Sequence, residues 1–278
     1  MKIENHWLSD DGNVNFEFET PNTGGEFPAG RPDTLVIHFT GGSSAESSAR
    51  HLCKPSSRAS AHAVIGRDGL IYQLAPFNTI TWHAGRSTWK DRSGLNHYAI
   101  GIELDNAGQL EPNGNGQYSA WFGRKFTQED VFFGVHRNQS APTAWHAYSE
   151  TQIQRVLDLC ALLIEYYGIR DILGHEEIAP LRKVDPGPAF PLDRLRARFF
   201  GETRDLDGEA EWGSPRDRAI VDTERLNIRS GPGVSYPTVS EPILRGATVR
   251  TLENRNGWAE VECVTRGWVS SQYLKYPD

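Results

Sequence analysis

The chain has 278 residues, of which 38% are hydrophobic and eight are tryptophan, and its formal net charge is −7. This length is sufficient for two folded domains, which is the organisation that we expect. The acidic balance argues against nucleic-acid binding, because proteins that bind polyanions usually carry a basic face. The three cysteines lie far apart without a CxxC motif, so the sequence predicts neither a disulfide framework nor a cysteine zinc site.

Residues 1–30 are predicted to be a polar extension with one short edge strand. Val14, Phe16 and Phe18 alternate with polar residues, as in a half-buried strand. Residues 1–8 contain no basic segment followed by an apolar run, and nothing in the chain approaches the ~20 apolar residues of a membrane span. We therefore expect no signal peptide and synthesis in the cytoplasm, so that a target elsewhere is reached by non-classical delivery or after lysis.

The first apolar strand is predicted at residues 34–39, immediately before Thr40-Gly41-Gly42. His38 lies at the end of this strand and can point into a site. A lone histidine in such a place is more often a hydrogen-bonded core residue, so this position needs partners elsewhere in the chain. Residues 41–59 are predicted to form a loop and a short helix.

A β-hairpin is predicted next, because Asp68-Gly69 separates the apolar runs 61–65 and 70–74. Trp82-His83-Ala84-Gly85 follows a polar turn. Trp82 offers a flat apolar face on which a sugar or peptide can stack, although core packing is the alternative. His83 is predicted either to contact substrate or to make a structural hydrogen bond.

Residues 100–104 form an apolar strand that contains one carboxylate, Glu103. An ionised glutamate in a buried strand is costly unless it is paired or transfers protons, so Glu103 is predicted to be catalytic. Residues 105–148 show no clear period and are first rich in Gly, Asn and Gln, then in aromatic residues. We predict a long functional loop that could form one wall of a substrate groove.

The clearest helix is predicted to begin at Ser149, with Ser149 and Gln152 as a capping box and Gly168 after its end. Apolar residues recur at i, i+3 and i+4 along it. A strongly amphipathic helix between strands indicates an α/β domain in which helices cover a mixed sheet. Residues 192–200 are predicted to be the closing helix of this domain.

The segment 174–188 combines His175, Lys183 and Asp185 with several prolines and glycines. Prolines fix φ and withhold a backbone donor, so the segment is predicted to be an irregular loop, where functional residues often lie. His175 and Asp185 are candidate zinc ligands. His38 is the best candidate for the third ligand.

Residues 201–217 are charged and aperiodic, which indicates a linker. Short strands and turns follow it, and three segments resemble the bacterial SH3 domain: 226–233, 257–258 and 267–274. Residues 218–278 are thus predicted to be a small all-β SH3-like barrel that either binds a cell-wall ligand or caps the first domain. Its predicted strands are Arg218–Val221, Ala247–Leu252, Trp258–Glu262 and Arg266–Val269.

Five motifs in the first domain occur in the order of a known family. They are TLVIHFT (34–40), SAHAVIGRDGLIYQLAP (60–76), WHAG (82–85), IGIEL (100–104) and GHEEIAPLRKVDPGPAFP (174–191). The chain therefore resembles the zinc-dependent type 2 N-acetylmuramoyl-L-alanine amidases, which are related to the peptidoglycan-recognition proteins. The resemblance covers residues 31–200 and implies an α/β fold whose mixed β-sheet is flanked by helices.

The resemblance implies a Zn²⁺ site made by His38, His175 and Asp185, with an open position for water. It also implies that Glu103 transfers protons and that Lys183 stabilises the oxyanion of the tetrahedral state. The bond cleaved would join the lactyl group of N-acetylmuramic acid to L-Ala in peptidoglycan.

The same resemblance implies that His62 lines the substrate site, with a packed core histidine as the alternative, and Trp82 and His83 are the other predicted substrate contacts. Some relatives carry a catalytic tyrosine where this chain has Ala61, so that variant of the mechanism is excluded here. A non-catalytic peptidoglycan receptor and a zinc endopeptidase of the cell wall are the alternative functions. An endolysin, an antibacterial effector and a recycling enzyme would share the same chemistry, and an SH3-like domain favours assembled cell wall over small fragments.

Overall fold

The computed structural model describes residues 1–9, 12–114, 116–200, 218–239, 242–245, 248–255, 257–262, 267–270 and 274–275. The chain forms two compact units, Met1–Thr203 and Arg204–Asp278. The predicted linker 201–217 lies outside the described residues. In the described ranges, no helix has the length and apolar character needed to cross a bilayer.

The described residues of the first unit form short strands and four α-helices. Its strands are β1 (Ile3–Glu4), β2 (Trp7–Leu8), β3 (Val14–Asn15), β4 (Thr23–Glu26), β5 (Thr34–Phe39), β6 (Ala63–Ile65), β7 (Ile71–Gln73), β8 (Thr79–Thr81), β9 (Thr88–Trp89), β10 (Arg92–Ser93), β11 (Ala99–Leu104), β12 (Gln109–Pro112), β13 (Tyr118–Ser119), β14 (Lys125–Phe126), β15 (Val131–Val135), β16 (Pro142–His146) and β17 (Asp171–Gly174). Its helices are α1 (Ala45–Leu52), α2 (Glu150–Tyr167), α3 (His175–Ile178) and α4 (Leu192–Phe200), with 3₁₀ turns at Pro55–Ser57, Leu95–His97 and Gln128–Asp130.

The central sheet has six strands in the order β17-β5-β11-β6-β7-β3. Strands β17, β5, β11 and β6 run parallel to one another, whereas β6 and β7 form the predicted antiparallel hairpin. The prediction of a mixed sheet flanked by helices is therefore confirmed. Parallel strands end at the same edge of a sheet, so the residues at the ends of β17, β5 and β11 meet there.

Both faces of this sheet are covered by apolar side chains, as its continuous hydrophobic strands require. On one face, Ile37 and Ile102 pack with residues of α2 such as Val156. On the other face, Val36 and Leu173 pack with a separate cluster of buried residues. The backbone at the end of each strand is consequently held from both sides.

Helix α2 begins and ends where the sequence predicts. The side chain of Ser149 accepts a hydrogen bond from the backbone N–H of Gln152, and Gly168 ends the helix in the left-handed conformation. The second half of the predicted capping box is absent, because the Gln152 amide donates to the carbonyls of Ile65 and Asp105 instead. Gln152 thus ties the helix to the ends of β6 and β11.

The prediction of a long loop at residues 105–148 is wrong, because this insert forms a second, five-stranded antiparallel sheet. Its strand order is β14-β13-β12-β16-β15. Leu110, Phe126 and Ala144 form a small core on the buried face, while Phe132 and Phe133 on β15 are exposed. The exposed aromatic residues and the short, glycine-interrupted strands break the polar–apolar alternation by which a strand is recognised in sequence.

The second unit is built from antiparallel strands around its own apolar core. The core contains Ala219, Val249 and Val261. The described strands are β18 (Arg218–Val221), β19 (Arg225–Leu226), β20 (Ile243–Leu244), β21 (Thr248–Arg255), β22 (Trp258–Glu262), β23 (Gly267–Ser270) and β24 (Leu274–Lys275). The main sheet has the order β23-β22-β21-β18-β24. Two predicted strands coincide with β18 and β22, and the other two overlap β21 and β23; Ala247 and Arg266 lie outside the described residues.

Candidate active site

Three predicted ligands converge at the carboxyl edge of the central sheet. His38 is the fifth residue of β5, His175 begins α3 directly after β17, and Asp185 lies on the segment that follows α3. The Nδ1 atoms of His38 and His175 are 2.9 Å apart, and each lies 2.9 Å from Oδ2 of Asp185. All three side chains are buried. Three metal-ligating atoms therefore form one compact triangle.

The outer nitrogens of the two imidazoles determine which atoms carry protons. His175 Nε2 lies 3.1 Å from the carbonyl oxygen of Ala84, so it donates and leaves Nδ1 with a lone pair in the neutral ring. His83 Nε2 likewise donates to the carbonyl of Ala99 at 3.0 Å, so its Nδ1 accepts. That Nδ1 lies 3.0 Å from His38 Nε2, which must then donate. His38 Nδ1 is consequently also a lone pair, and two imidazole lone pairs and a carboxylate face one another.

This donor set fits a divalent metal ion. Mutually facing lone pairs repel, and a cation between them converts that repulsion into coordination. Two neutral imidazoles and one carboxylate are a common ligand set for catalytic metal ions, which keep a further position open.

Burial and neighbouring groups favour the protonation states that metal binding needs. Burial lowers the pKa of His38 to about 4, and the nearby His175 adds to this shift. Burial alone would raise the pKa of Asp185, but the neighbouring imidazoles of His175 and His38 outweigh this effect and hold the pKa below its ordinary value. Neutral imidazole and ionised carboxylate are the forms that bind metals.

Glu103 lies beside this triangle, in register with His38 on the adjacent parallel strand. Burial raises the pKa of Glu103 to about 8, with a further contribution from Asp185 and an opposing one from the charge of Lys183. Within the described part of the chain, its buried Oε2 has no hydrogen-bond partner. An unpartnered carboxyl with a raised pKa next to candidate metal ligands is typical of a proton-transfer group.

Lys183 also acts on this site. It is half-buried on the segment between His175 and Asp185, and its charge lowers the pKa values of both His38 and Glu103. Its ammonium group is therefore close enough to contribute to the potential in the site.

The other predicted substrate contacts occupy different environments. His62 is fully buried: its Nδ1 accepts from the backbone N–H of Gly101 and the Thr81 hydroxyl, and its Nε2 donates to the carbonyl of Thr79. His83 is also buried and contacts His38 rather than a surface. Both positions agree with the alternative predictions, a packed histidine at 62 and a structural hydrogen bond at 83, rather than with contact to substrate, because both rings are enclosed by protein. Trp82 has 38% of its surface exposed and can contact a ligand.

A cavity of about 370 Å³ opens beside Glu103, between the loop after β5 and the insert sheet. Trp121 and Phe122 line it from the insert, and Ser43 and Ser47 line it from the other side. Trp121 is 81% exposed, and its indole N–H donates to the carbonyl of Gly41 at 2.7 Å. The sequence indicated a wall in this insert but not these residues; the Gly41-Gly42 pair, three residues after His38, is the signal that could have marked the loop.

The hydrogen bonds that hold the segment after β17, residues 175–187, were not predicted from the sequence. His136 is buried, and its Nε2 donates to Oε2 of Glu176 at 2.7 Å. The same carboxylate oxygen accepts from the backbone N–H of Gly187 at 3.0 Å. No local pattern in the sequence pairs two residues that are forty positions apart.

Comparison with known proteins finds one family match in each unit. The family described as N-acetylmuramoyl-L-alanine amidase matches residues 28–188, which is more than half of the chain. The family described as bacterial SH3 domain matches residues 224–275.

Among similar proteins, 1,6-anhydro-N-acetylmuramyl-L-alanine amidase AmpD of Escherichia coli K12 is 33% identical over 148 residues, which are 52% of this chain and 61% of AmpD. N-acetylmuramoyl-L-alanine amidase AmiD of the same organism is 33% identical over 134 residues, which are 47% of this chain and 38% of AmiD. The chain thus spans less than two thirds of the length of either relative. A crystal structure of a selenomethionine AmpD derivative superposes with a TM-score of 0.50 at 27% identity, covering 71% of this chain and 98% of that one. This chain belongs to the N-acetylmuramoyl-L-alanine amidase family.

Proposed function

We propose that the protein hydrolyses the amide bond between the lactyl group of N-acetylmuramic acid and L-Ala of the stem peptide in peptidoglycan. The observation that carries this proposal is the triangle of His38, His175 and Asp185 next to the unpartnered carboxyl of Glu103. Membership of the amidase family and the activities after which AmpD and AmiD are named support the choice of bond.

The metal ion proposed for the triangle is Zn²⁺. Two imidazoles and a carboxylate suit zinc, which prefers nitrogen and oxygen donors in a tetrahedral arrangement. When bound, zinc supplies Lewis-acid polarisation of a carbonyl group and lowers the pKa of water.

Glu103 is proposed to move the proton of the reaction. Its unpartnered Oε2 accepts a proton from the attacking water and returns it to the nitrogen of the leaving L-Ala. The positive charge of Lys183 works against the burial that raises the pKa of Glu103, and thus helps the carboxylate form to persist. Glu103 also lines the cavity, so its carboxyl can reach a bound substrate.

Lys183 is further proposed to stabilise the negative charge that develops on the carbonyl oxygen during attack. Trp82 and Trp121 are the exposed aromatic residues proposed to contact substrate, since rigid aromatic faces bind sugars and peptides with little loss of entropy. His62 and His83 are not assigned to substrate because both rings are enclosed by protein.

The test is digestion of purified peptidoglycan with and without a zinc chelator, followed by mass spectrometry of the soluble products. Free stem peptides with an L-Ala amino terminus, lost on chelation and restored by Zn²⁺, are the expected result. Cleavage between peptides with intact lactyl–alanine bonds would make the protein an endopeptidase. Retention on the sacculus without any cleavage would make it a receptor.

The second unit is proposed to bind the cell wall. Val234, Tyr236 and Val239 leave apolar surface exposed on one connection of this unit, and such surface often marks a binding site. The full chain, treated with chelator to prevent cleavage, should sediment with sacculi, and Tyr236→Ala should reduce the sedimented fraction. Equal sedimentation of the two proteins would remove this residue from wall binding. We also propose that the protein acts at the cell wall or in the periplasm.

A further inference from the structure

The WHAG segment, residues 82–85, contacts the outer nitrogen, Nε2, of both candidate histidine ligands, His38 and His175. His83 Nδ1 lies 3.0 Å from the outer nitrogen of His38, and the carbonyl oxygen of Ala84 lies 3.1 Å from the outer nitrogen of His175. Two consecutive residues thus reach two ligands that are 137 positions apart in the chain. From these contacts we infer that His83 is a positioning residue, which fixes the tautomer and ring plane of His38 and so directs its Nδ1 lone pair to the metal.

The orientation of His83 is itself fixed. Its Nε2 donates to the carbonyl of Ala99 at 3.0 Å, so only Nδ1 is left to accept. Its ring lies against the backbone of Gly101, where an added Cβ would stand 2.3 Å from Cγ of His83. A glycine on β11 therefore creates the space for this imidazole, and the strand beneath prevents it from turning.

Hydrogen bonds with Asn96 and Ser60 hold the backbone of the WHAG segment. The side-chain oxygen of Asn96 accepts from the N–H groups of His83 and Ala84, at 3.1 and 2.7 Å. Trp82 exchanges two hydrogen bonds with Ser60: its N–H donates to the Ser60 hydroxyl at 2.7 Å, and its carbonyl accepts from the Ser60 N–H at 3.1 Å. The acceptors that face the two metal ligands are consequently not free to move away.

The physical effect follows from the two tautomers of a neutral imidazole. If His38 carried its proton on Nδ1, that proton would point into the triangle and occupy the position of the metal. The acceptor on His83 makes the Nε2–H tautomer the favoured one before metal arrives. Partners of this kind commonly change metal affinity 10- to 100-fold, although a carboxylate or carbonyl usually supplies them. Here Nδ1 of His83 is the acceptor for the Nε2–H of His38.

The experiment compares His83→Asn with His83→Leu. The two side chains have nearly the same size and shape, but only asparagine offers an acceptor. Zn²⁺ affinity is measured by competition with a chromogenic chelator, and folding by circular dichroism. His83→Leu should bind Zn²⁺ about 10- to 100-fold more weakly than the wild type, and His83→Asn should recover most of this loss. His146→Asn, which removes a buried histidine from the insert sheet, is the matched control and should keep wild-type affinity.

A second measurement needs no variant. In metal-free wild-type protein, ¹⁵N NMR of the imidazoles should show His38 and His83 with the proton on Nε2. The Nδ1–H tautomer of His38, or equal affinities for the leucine and asparagine variants, would overturn the inference. The inference rests on the metal site of the proposed function. Failure of the wild type to bind Zn²⁺ would count against that site, whereas zinc binding that ignores residue 83 would count against His83 alone.

Discussion

The ligands of the candidate metal site come from two regions that are held in different ways. His38 lies on β5, between two parallel strands and with apolar residues on both faces of the sheet. His175 and Asp185 lie on a segment with one short helix and no sheet partner between them. The strand position is fixed by backbone hydrogen bonds and packing, whereas the segment must be fixed by side chains.

Glu176 provides much of that fixation. Its carboxylate accepts from His136 on one side and from the N–H of Gly187 on the other, while its own N–H donates to the carbonyl of Asp185 at 2.8 Å. Glu177 is paired with Arg137 and Arg196. The insert sheet therefore braces the segment through residues 136 and 137. The comparison teaches that a ligand on an irregular segment needs a brace that a ligand on a central strand does not.

Removal of a ligand should have the largest effect, and it should be equally severe in both regions. His38→Ala and Asp185→Ala are each expected to abolish zinc retention and turnover, because two remaining ligands do not hold the metal. Metal content after desalting and release of stem peptides measure both properties. His97→Ala, an exposed histidine, serves as control. Full activity in any ligand variant would refute the ligand set.

Replacement of Glu103, which lies on β11 beside His38, should lower turnover without changing metal binding. Glu103→Gln keeps the shape of the side chain but cannot accept a proton. We expect wild-type zinc content and folding with a rate lower by about 10²–10⁴, the usual contribution of a general acid–base group. Near-normal turnover of muropeptide would remove Glu103 from the mechanism.

Loss of the hydrogen bond between His136 and Glu176 should affect only the two ligands on the segment after β17, His175 and Asp185. His136→Phe retains an aromatic ring against Trp145 but removes the donor to Glu176. The buried carboxylate then loses its strongest partner, and the free energy of unfolding should fall by about 1–3 kcal/mol. Zn²⁺ affinity should fall as well, whereas the His38 tautomer in metal-free protein should not change. An altered His38 tautomer would show that the two regions are not independent.

The smallest effect concerns pH. In metal-free protein the pKa of Glu103 is raised to about 8 from 4.5, so between these values the folded state holds a proton that the unfolded state has lost. The contribution of Glu103 to the free energy of unfolding should therefore fall as pH rises through this range. Glu103→Gln lacks this contribution, so the stability of the variant relative to that of the wild type should rise between pH 4.5 and 8. Parallel stability curves in thermal unfolding would contradict the raised pKa.

The sequence by itself determined the fold class and the chemistry-bearing residues of the central sheet. Buried parallel strands are continuous apolar runs, so a single carboxylate in one of them, Glu103, was conspicuous. Helix α2 and the hairpin at Asp68-Gly69 were predicted because capping and turn residues act on neighbours in the chain. The candidate ligands were found because His175 and Asp185 lie on one unusual segment and His38 ends a strand.

Only the tertiary structure decided what surrounds those residues. His62 and His83 have the same residue type as the ligands, and their burial against Gly101 and His38 depends on how strands from distant parts of the chain are paired. The insert sheet at 105–148 was missed because its short strands derive their stability from each other and from the segment that they brace. Hydrogen bonds such as His136–Glu176 join positions that no local pattern relates. The sequence shows which residue types are available for a site, whereas the orientation of each candidate ligand depends on contacts between distant parts of the chain.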